Sequence, residues 1–205
     1  IDRPEQVAWI MTHCPADLPV RIQVWGALTQ NLEGTQLVEL SELANAGICG
    51  LSDGQPLSNW MLLRRALEYL RPTNIPIALW PCDRNLTGNG VIREGIQAIQ
   101  TGLPENPVMA ETTALAALLE VVETLKTPVH IMRVSTARSV ALLEAAKAQE
   151  LPITASVSWM HLLWNSEHLR SYDVNLHLDP PLGNPADQEA LIRGLETGVI
   201  DAIAV

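Results

Sequence analysis

The chain has 205 residues, 47% of them apolar, with a formal net charge of −10. That apolar share supports one sizeable core, and no unbroken apolar run is long enough to cross a bilayer. The acidic balance, with no basic tract to neutralise phosphates, argues against nonspecific binding to nucleic acid or to an anionic membrane surface. Cys14, Cys49 and Cys82 are well separated and odd in number, so neither a disulfide framework nor a Cys-x-x-Cys zinc knuckle is expected. With no signal or transit segment, the expected setting is reducing and cytoplasmic. Ile1 does not read as a natural start, so the chain is expected to be part of a longer protein.

From the N-terminus, short extended runs alternate with segments of helical period. Pro4–Thr12 reads as helix and Val20–Trp25 as strand; Thr35–Asn45 is helical and Ile48–Ser52 extended. Helix Asn59–Leu70 leads into strand Pro76–Trp80, and helices Val91–Gln100 and Met109–Lys126 precede strand Val129–Val134. Ala137–Gln149 is then helical, Ile153–Val157 extended, Ala186–Glu196 helical and Asp201–Val205 extended. The strands read as near-continuous apolar runs, the kind buried on both faces of a parallel sheet. Gly47, Gly102 and Gly198 follow helices where a left-handed cap is expected, and Pro72, Pro76, Pro128 and Pro152 mark the returns into strands. Repeated strand–helix units without a composition shift predict a single α/β domain over residues 1–205. The alternative, an open doubly wound sheet, usually announces a nucleotide site, but no Gly-x-Gly-x-x-Gly or Walker sequence occurs. Thr87-Gly-Asn-Gly90 reads as a loop of turn formers.

A series of short strings resembles the dihydroorotases of the cyclic amidohydrolase family, in the family's order. They are Gly26-Ala-Leu-Thr29, Leu32-Glu-Gly34, Ser52-Asp-Gly54, Leu62-Leu-Arg-Arg-Ala-Leu-Glu-Tyr69 and Pro128-Val-His-Ile-Met-Arg-Val-Ser-Thr136, then Leu151-Pro-Ile-Thr-Ala155, Leu169-Arg-Ser-Tyr-Asp173, Pro180-Pro-Leu182, Glu189-Ala-Leu-Ile-Arg-Gly-Leu195 and Gly198-Val-Ile-Asp-Ala-Ile-Ala204. Each string is weak alone; the collinear series is specific. The resemblance implies a (β/α)8 TIM barrel of the amidohydrolase type, of which this chain covers roughly strands three to eight. Such a barrel typically needs about 250 residues, with its chemistry at the C-terminal strand ends. It also implies a place in de novo pyrimidine biosynthesis, where family members hydrolyse a cyclic amide with a zinc-bridging hydroxide.

At the strand ends the chain departs from the family. Asp53 matches, within one position, a bridging carboxylate and is the residual metal candidate; it reads equally as a turn Asp before glycine. The family's His on the fifth strand is here Trp80, whose indole nitrogen only donates, and its second His on the sixth is Arg133, which carries a fixed charge. His130 lies three residues before Arg133, a separation that in an extended strand places the two on opposite faces and casts His130 as a satisfied structural residue. The family's Thr-Pro-His-His becomes Ser158-Trp-Met-His161, and its ring-holding Asn becomes Asp179, adding negative charge where an anionic substrate would lie. Trp80, Trp159 and Met160 suggest a mouth filled by side chains. Ser135 and Ser156 read as capping or strand residues rather than nucleophiles.

The resemblance with these departures implies a degenerate member, with no catalytic residue assigned and no cofactor expected in this chain. Silent members of the family act as scaffolds that assemble with aspartate carbamoyltransferase, so that partner and a homo- or hetero-oligomer are expected. The competing expectation is an active dihydroorotase or related cyclic amidohydrolase, with zinc held by Asp53, a His pair before Ile1 and an Asp after Val205. A binding module for another small molecule in the barrel mouth is a third. If their strands are the fourth and sixth, Asp53 and Arg133 should meet as an ion pair.

Overall fold

A parallel sheet cannot be closed by tight hairpins, so each strand must be followed by a long return path, and here helices fill those paths. The computed structural model describes residues 1–205 except Ala16, Leu57, Ser58 and Asn74. Helix α1 (Pro4–His13) precedes β1 (Trp25–Gly26); α2 (Leu40–Asn45) returns the chain to β2 (Gly50–Leu51), and α3 (Trp60–Leu70) to β3 (Ile77–Leu79). A longer excursion follows, with α4 (Arg84–Thr87), β4 (Ile92–Arg93), α5 (Ile96–Thr101), β5 (Glu105–Asn106) and α6 (Met109–Leu125), before β6 (Val129–Ile131). Next come α7 (Ala137–Ala148), β7 (Ile153–Ser158), α8 (Trp159–Leu163), α9 (Pro185–Glu196) and β8 (Ala202–Ala204). The main sheet has the order β1-β2-β3-β6-β7-β8 with every pairing parallel, while β4 and β5 pair separately. This is part of a (β/α) barrel wall, as the sequence predicts.

The helix boundaries follow from their caps. Asn59 accepts from Leu62 N at the start of α3, Thr136 from Ser139 N at the start of α7, and Asn184 from Asp187 N at the start of α9. At the other ends, Gly47, Gly102 and Gly198 take positive φ, and so does Lys126 after α6.

Period-two alternation divides the sheet into two faces. Ile77, Leu79, Val129, Ile131, Ile153, Ala155 and Val157 are buried in one core with Leu115, Leu118, Leu143 and Leu191 of the helical layer. The residues between them point the other way: Ala78, His130 and Thr154 stand in register across β3, β6 and β7, and Ser156 stands opposite Ala202 of β8. The expectation of strands apolar on both faces is therefore corrected, since this inner face is small and polar. His130 Nδ1 lies 2.8 Å from Thr154 Oγ1 and its Nε2 2.9 Å from Ser156 Oγ, a bridge that the register creates.

Several sequence boundaries move; the strand expected over Val129–Val134, for one, ends at Ile131. Val20 and Ile22 are 64% and 43% exposed, and pairing starts only where Val24 O accepts from Cys49 N, so the first strand is shorter than Val20–Trp25. The helix expected over Thr35–Asn45 begins at Leu40, because Gln36 O and Val38 N are bonded back to Gln30 and Leu28. Val91–Gln100 is not one helix: Gly95 at φ 135 breaks it, Ile92 and Arg93 pair with Glu105 and Asn106, and only Ile96–Thr101 is helical. One glycine is fixed by contact. A Cβ on Gly50 would lie 2.4 Å from the Trp25 ring that covers it.

The excursion is tied to the barrel wall by a buried charged knot. Arg93 and Glu111, with side chains 2% and 4% exposed, approach to 3.8 Å. Ser135 joins them: its N donates to Glu111 Oε1 at 3.0 Å, its hydroxyl bonds Glu111 Oε2, and Arg93 Nη2 donates to its Oγ at 2.7 Å. Removing one partner of such a pair leaves the other charge buried and uncompensated. Glu111→Gln should therefore cost about 3–5 kcal/mol in urea unfolding; a loss below about 1 kcal/mol would show that the knot does not hold the excursion.

Burial lowers the pKa of both His130 and His161 from the ordinary imidazole range. The unfolded chain then takes up protons that the folded chain refuses, so this stabilisation is complete above about pH 6.5 and is lost as pH falls from there toward the folded values. Urea midpoints measured from about pH 8 to about pH 5 should fall with acid, and less steeply in His130→Gln.

Candidate functional site

The C-terminal ends of the parallel strands share one side of the sheet, and there the chemically unusual residues gather. Trp80 directly follows β3 and is 3% exposed. Arg133 lies two residues beyond β6 and has φ 58. That left-handed backbone ends the alternation of β6, so His130 and Arg133 are not separated on opposite faces as the sequence suggests. Both line one pocket of about 590 Å³, together with Ser52, Ser156, Ser158, His161 and Asp179.

Trp80, Arg133 and Asp179 form a single cluster. The Arg133 guanidinium sits 4.4 Å from the Trp80 ring centroid, and that of Arg84 sits 4.6 Å from the same ring. Attraction between cation and ring quadrupole contributes about 0.5–2 kcal/mol per pair, more where water is excluded. Arg84 Nη1 pairs with Asp179 Oδ2 at 2.8 Å, and Arg133 Nη1 donates to Asp179 O at 3.4 Å. Arg84 opens the short α4, four residues after Trp80, a spacing that acquires meaning only once that turn exists.

Beneath the cluster, three successive carbonyls are held by three different elements. Asp179 O accepts from Arg133, Pro180 O from His161 Nε2 at 3.2 Å, and Pro181 O from Arg93 Nη2 at 3.4 Å. Two prolines in a row supply no N–H, so this segment can only accept, and the side chains around it are donors. A carbonyl partner fixes the proton of His161 on Nε2. Its Nδ1, like Arg93 Nε and Trp80 Nε1, is buried with no partner.

Asp53 stands apart from this cluster. Its Oδ1 accepts from Leu28 N at 2.7 Å and Thr29 N at 3.0 Å, and its Oδ2 from the Thr29 hydroxyl. The expected ion pair with Arg133 is not formed, because two backbone N–H groups and a hydroxyl in the loop after β1 engage the carboxylate while Arg133 lies over the Trp80 ring. The filled mouth is also corrected. Trp80 packs inward, but Trp159 is 37% exposed and pairs with Trp164 at 5.4 Å, and neither Trp159 nor Met160 lines the pocket. Cys82, beside a second pocket of about 490 Å³, has its thiol pushed up to about 11 by burial and is no nucleophile near neutral pH. Among the described residues, no three His, Cys, Asp or Glu side chains are placed to hold one metal ion. No helix among them is long and apolar enough to cross a membrane.

No family model matches the chain. A probable dihydroorotase-like protein of Synechocystis sp. is 51% identical over 199 residues, covering 93% of this chain and 45% of that protein. A dihydroorotase of Geobacter sp. is 36% identical over 205 residues, covering 100% of this chain and 48% of the enzyme. The chain thus spans about half the length of the curated relatives it matches. Among solved structures, L-hydantoinase (dihydropyrimidinase) from Arthrobacter aurescens superposes with a TM-score of 0.77 at 15% identity, over 98% of this chain and 46% of that one. A D-hydantoinase gives 0.74 at 14% identity, over 98% of this chain and 47% of its own. At such identities these structures speak for the barrel fold alone. The relatives at 51% and 36% identity, matched almost end to end along this chain, place it in the family of dihydroorotases and dihydroorotase-like proteins.

Proposed function

We propose that this chain belongs to a dihydroorotase-like protein of de novo pyrimidine biosynthesis that neither holds zinc nor hydrolyses dihydroorotate. In the cytoplasm it serves as a scaffold or regulatory partner of aspartate carbamoyltransferase. The observation that carries the reading is the Arg133 guanidinium placed over the Trp80 ring, 4.4 Å from its centroid. By the family resemblance, both residues stand where zinc ligands would. Indole nitrogen has no free lone pair and guanidinium is not deprotonated in proteins, so neither can coordinate a divalent cation. The two substitutions also stabilise each other, which makes them one change in chemistry rather than two separate defects. A fixed positive charge at this point repels a second cation. The residues present therefore do not fit a zinc pair, and no step of hydrolysis is routed through one. The partnership with the transferase rests on the resemblance to silent family members that assemble with it.

The second reading, an active dihydroorotase with an altered metal site, is favoured by the name of the Geobacter relative, a dihydroorotase at 36% identity. Metal content and dihydroorotate hydrolysis, measured on the full-length protein before and after added zinc, decide between them. The expected result is metal near zero and no turnover; bound zinc with turnover would establish the enzyme. Pull-down of the full-length protein from its own cells should bring the transferase with it, and its absence would remove the scaffold role.

Asp53 gives an independent test. Acting as a clamp on the Leu28–Thr29 backbone, it should give in Asp53→Ala a loss of about 1–3 kcal/mol in stability with unchanged metal content. A variant of unaltered stability that loses bound metal would instead identify Asp53 as a ligand.

A further inference from the structure

We propose that the cleft between α3, α4 and α6 is a binding site for a small organic ammonium, an apolar body bearing one primary amine, with the Asp83 carboxylate and the Trp60 ring as its receptors. The cleft holds about 490 Å³, within the roughly 300–1,000 Å³ of small-molecule sites. It is not the barrel mouth. Side chains alternate along β3, so Ala78 lines the mouth while Leu79 points into the helical layer, where this cleft opens. No residue lines both cavities, and Trp80 stands between them: it lines the cleft, and Arg133 of the mouth lies over its ring. The site is therefore independent of whether the protein holds zinc.

The lining sets the ligand class. Leu63, Leu79, Ala114 and Leu118, all buried, make an apolar floor. Two charged side chains line the cleft, Asp83 and Arg84, and one of them is already matched. Arg84 Nη1 pairs with Asp179 Oδ2 at 2.8 Å, and its guanidinium lies over Trp80. Among the described residues, Asp83 has no ion-pair partner; its Oδ1 caps α4 by accepting from Asn85 N at 2.8 Å, and its Oδ2 accepts no hydrogen bond. Trp60 is 40% exposed, and among the described residues neither an aromatic ring nor a cation lies over it. Burial pushes the Cys82 thiol up to about 11, so it adds no second negative charge near neutral pH. One open carboxylate accepts from and neutralises one ammonium, an indole face attracts the same charge, and the apolar floor takes the hydrocarbon.

The test is calorimetric titration of the full-length protein at neutral pH with phenethylamine, its neutral analogue phenethyl alcohol, and the anion phenylacetate. The amine should bind saturably, and the alcohol and the anion at least about tenfold more weakly. Asp83→Asn removes the charge but keeps a side chain that caps a helix equally well, so it should lose at least about tenfold in amine affinity with α4 intact. Trp60→Leu should lose at least about threefold. Ala117→Phe, at an exposed position of α6 that lines the cleft, should block the amine. Equal binding of amine and alcohol, or full amine affinity surviving in Asp83→Asn or in Trp60→Leu, would overturn the proposal. Full affinity in Ala117→Phe would place the amine elsewhere and overturn it as well, and tighter binding of phenylacetate would overturn it in favour of an anion site at Arg84. Should Asp83→Asn fail to fold, the ligand comparison and Ala117→Phe still decide.

Discussion

The parallel register of the sheet is the constraint on which everything else depends. Because every pairing is parallel, all strand ends of one sense lie on one side, and residues distant in sequence are delivered to the same mouth. Trp80 leaves β3, Arg133 follows β6 and Ser158 ends β7, yet they surround one pocket or touch one another. The same register aligns Ala78, His130 and Thr154 on the inner face, where a line of small and polar side chains leaves room that Leu or Ile would occupy. Burial of the outer face against the helices supplies the apolar stabilisation, so the inner face is free to be polar.

Within that mouth, side chains organise the positive charge. Two guanidinium groups share the Trp80 ring, and one of them also neutralises Asp179. The Asp179 carboxylate does not stand alone in the mouth, since Arg84 pairs with it at 2.8 Å. Trp80, Arg84, Arg133 and Asp179 are thus energetically coupled, and substitutions among them should not be additive.

The barrel class was legible because both signals it needs are local: helical period with caps, and apolar extended runs punctuated by Gly and Pro. Trp80, Arg133 and Asp179 were also legible in the sequence as departures from the resembled pattern. Their mutual contact was not, since it joins positions about fifty residues apart and depends on an αL turn at Arg133 that no Gly or Asn announces. The opposite-face argument for His130 failed for the same reason: alternation holds only while the strand lasts, and β6 ends at Ile131. Glu111 and Arg93 went unnoticed because each reads locally as an ordinary charged residue on a helix. Only the breaking of Val91–Gln100 at Gly95 turns Arg93 into a strand residue facing Glu111.

The Asp179–Pro181 carbonyls join these observations physically. A segment with two prolines cannot pair as a central strand, and its acceptors must be met by donors from elsewhere. Arg133 meets the first from the mouth, His161 the second from α8, and Arg93 the third from the buried knot. The segment is therefore a shared support, with the knot fixing one end and the Trp80 cluster the other. Loss of the Arg133 contact to Asp179 O would give up only a long and weak hydrogen bond, because Arg84, His161 and Arg93 would continue to hold the segment in place.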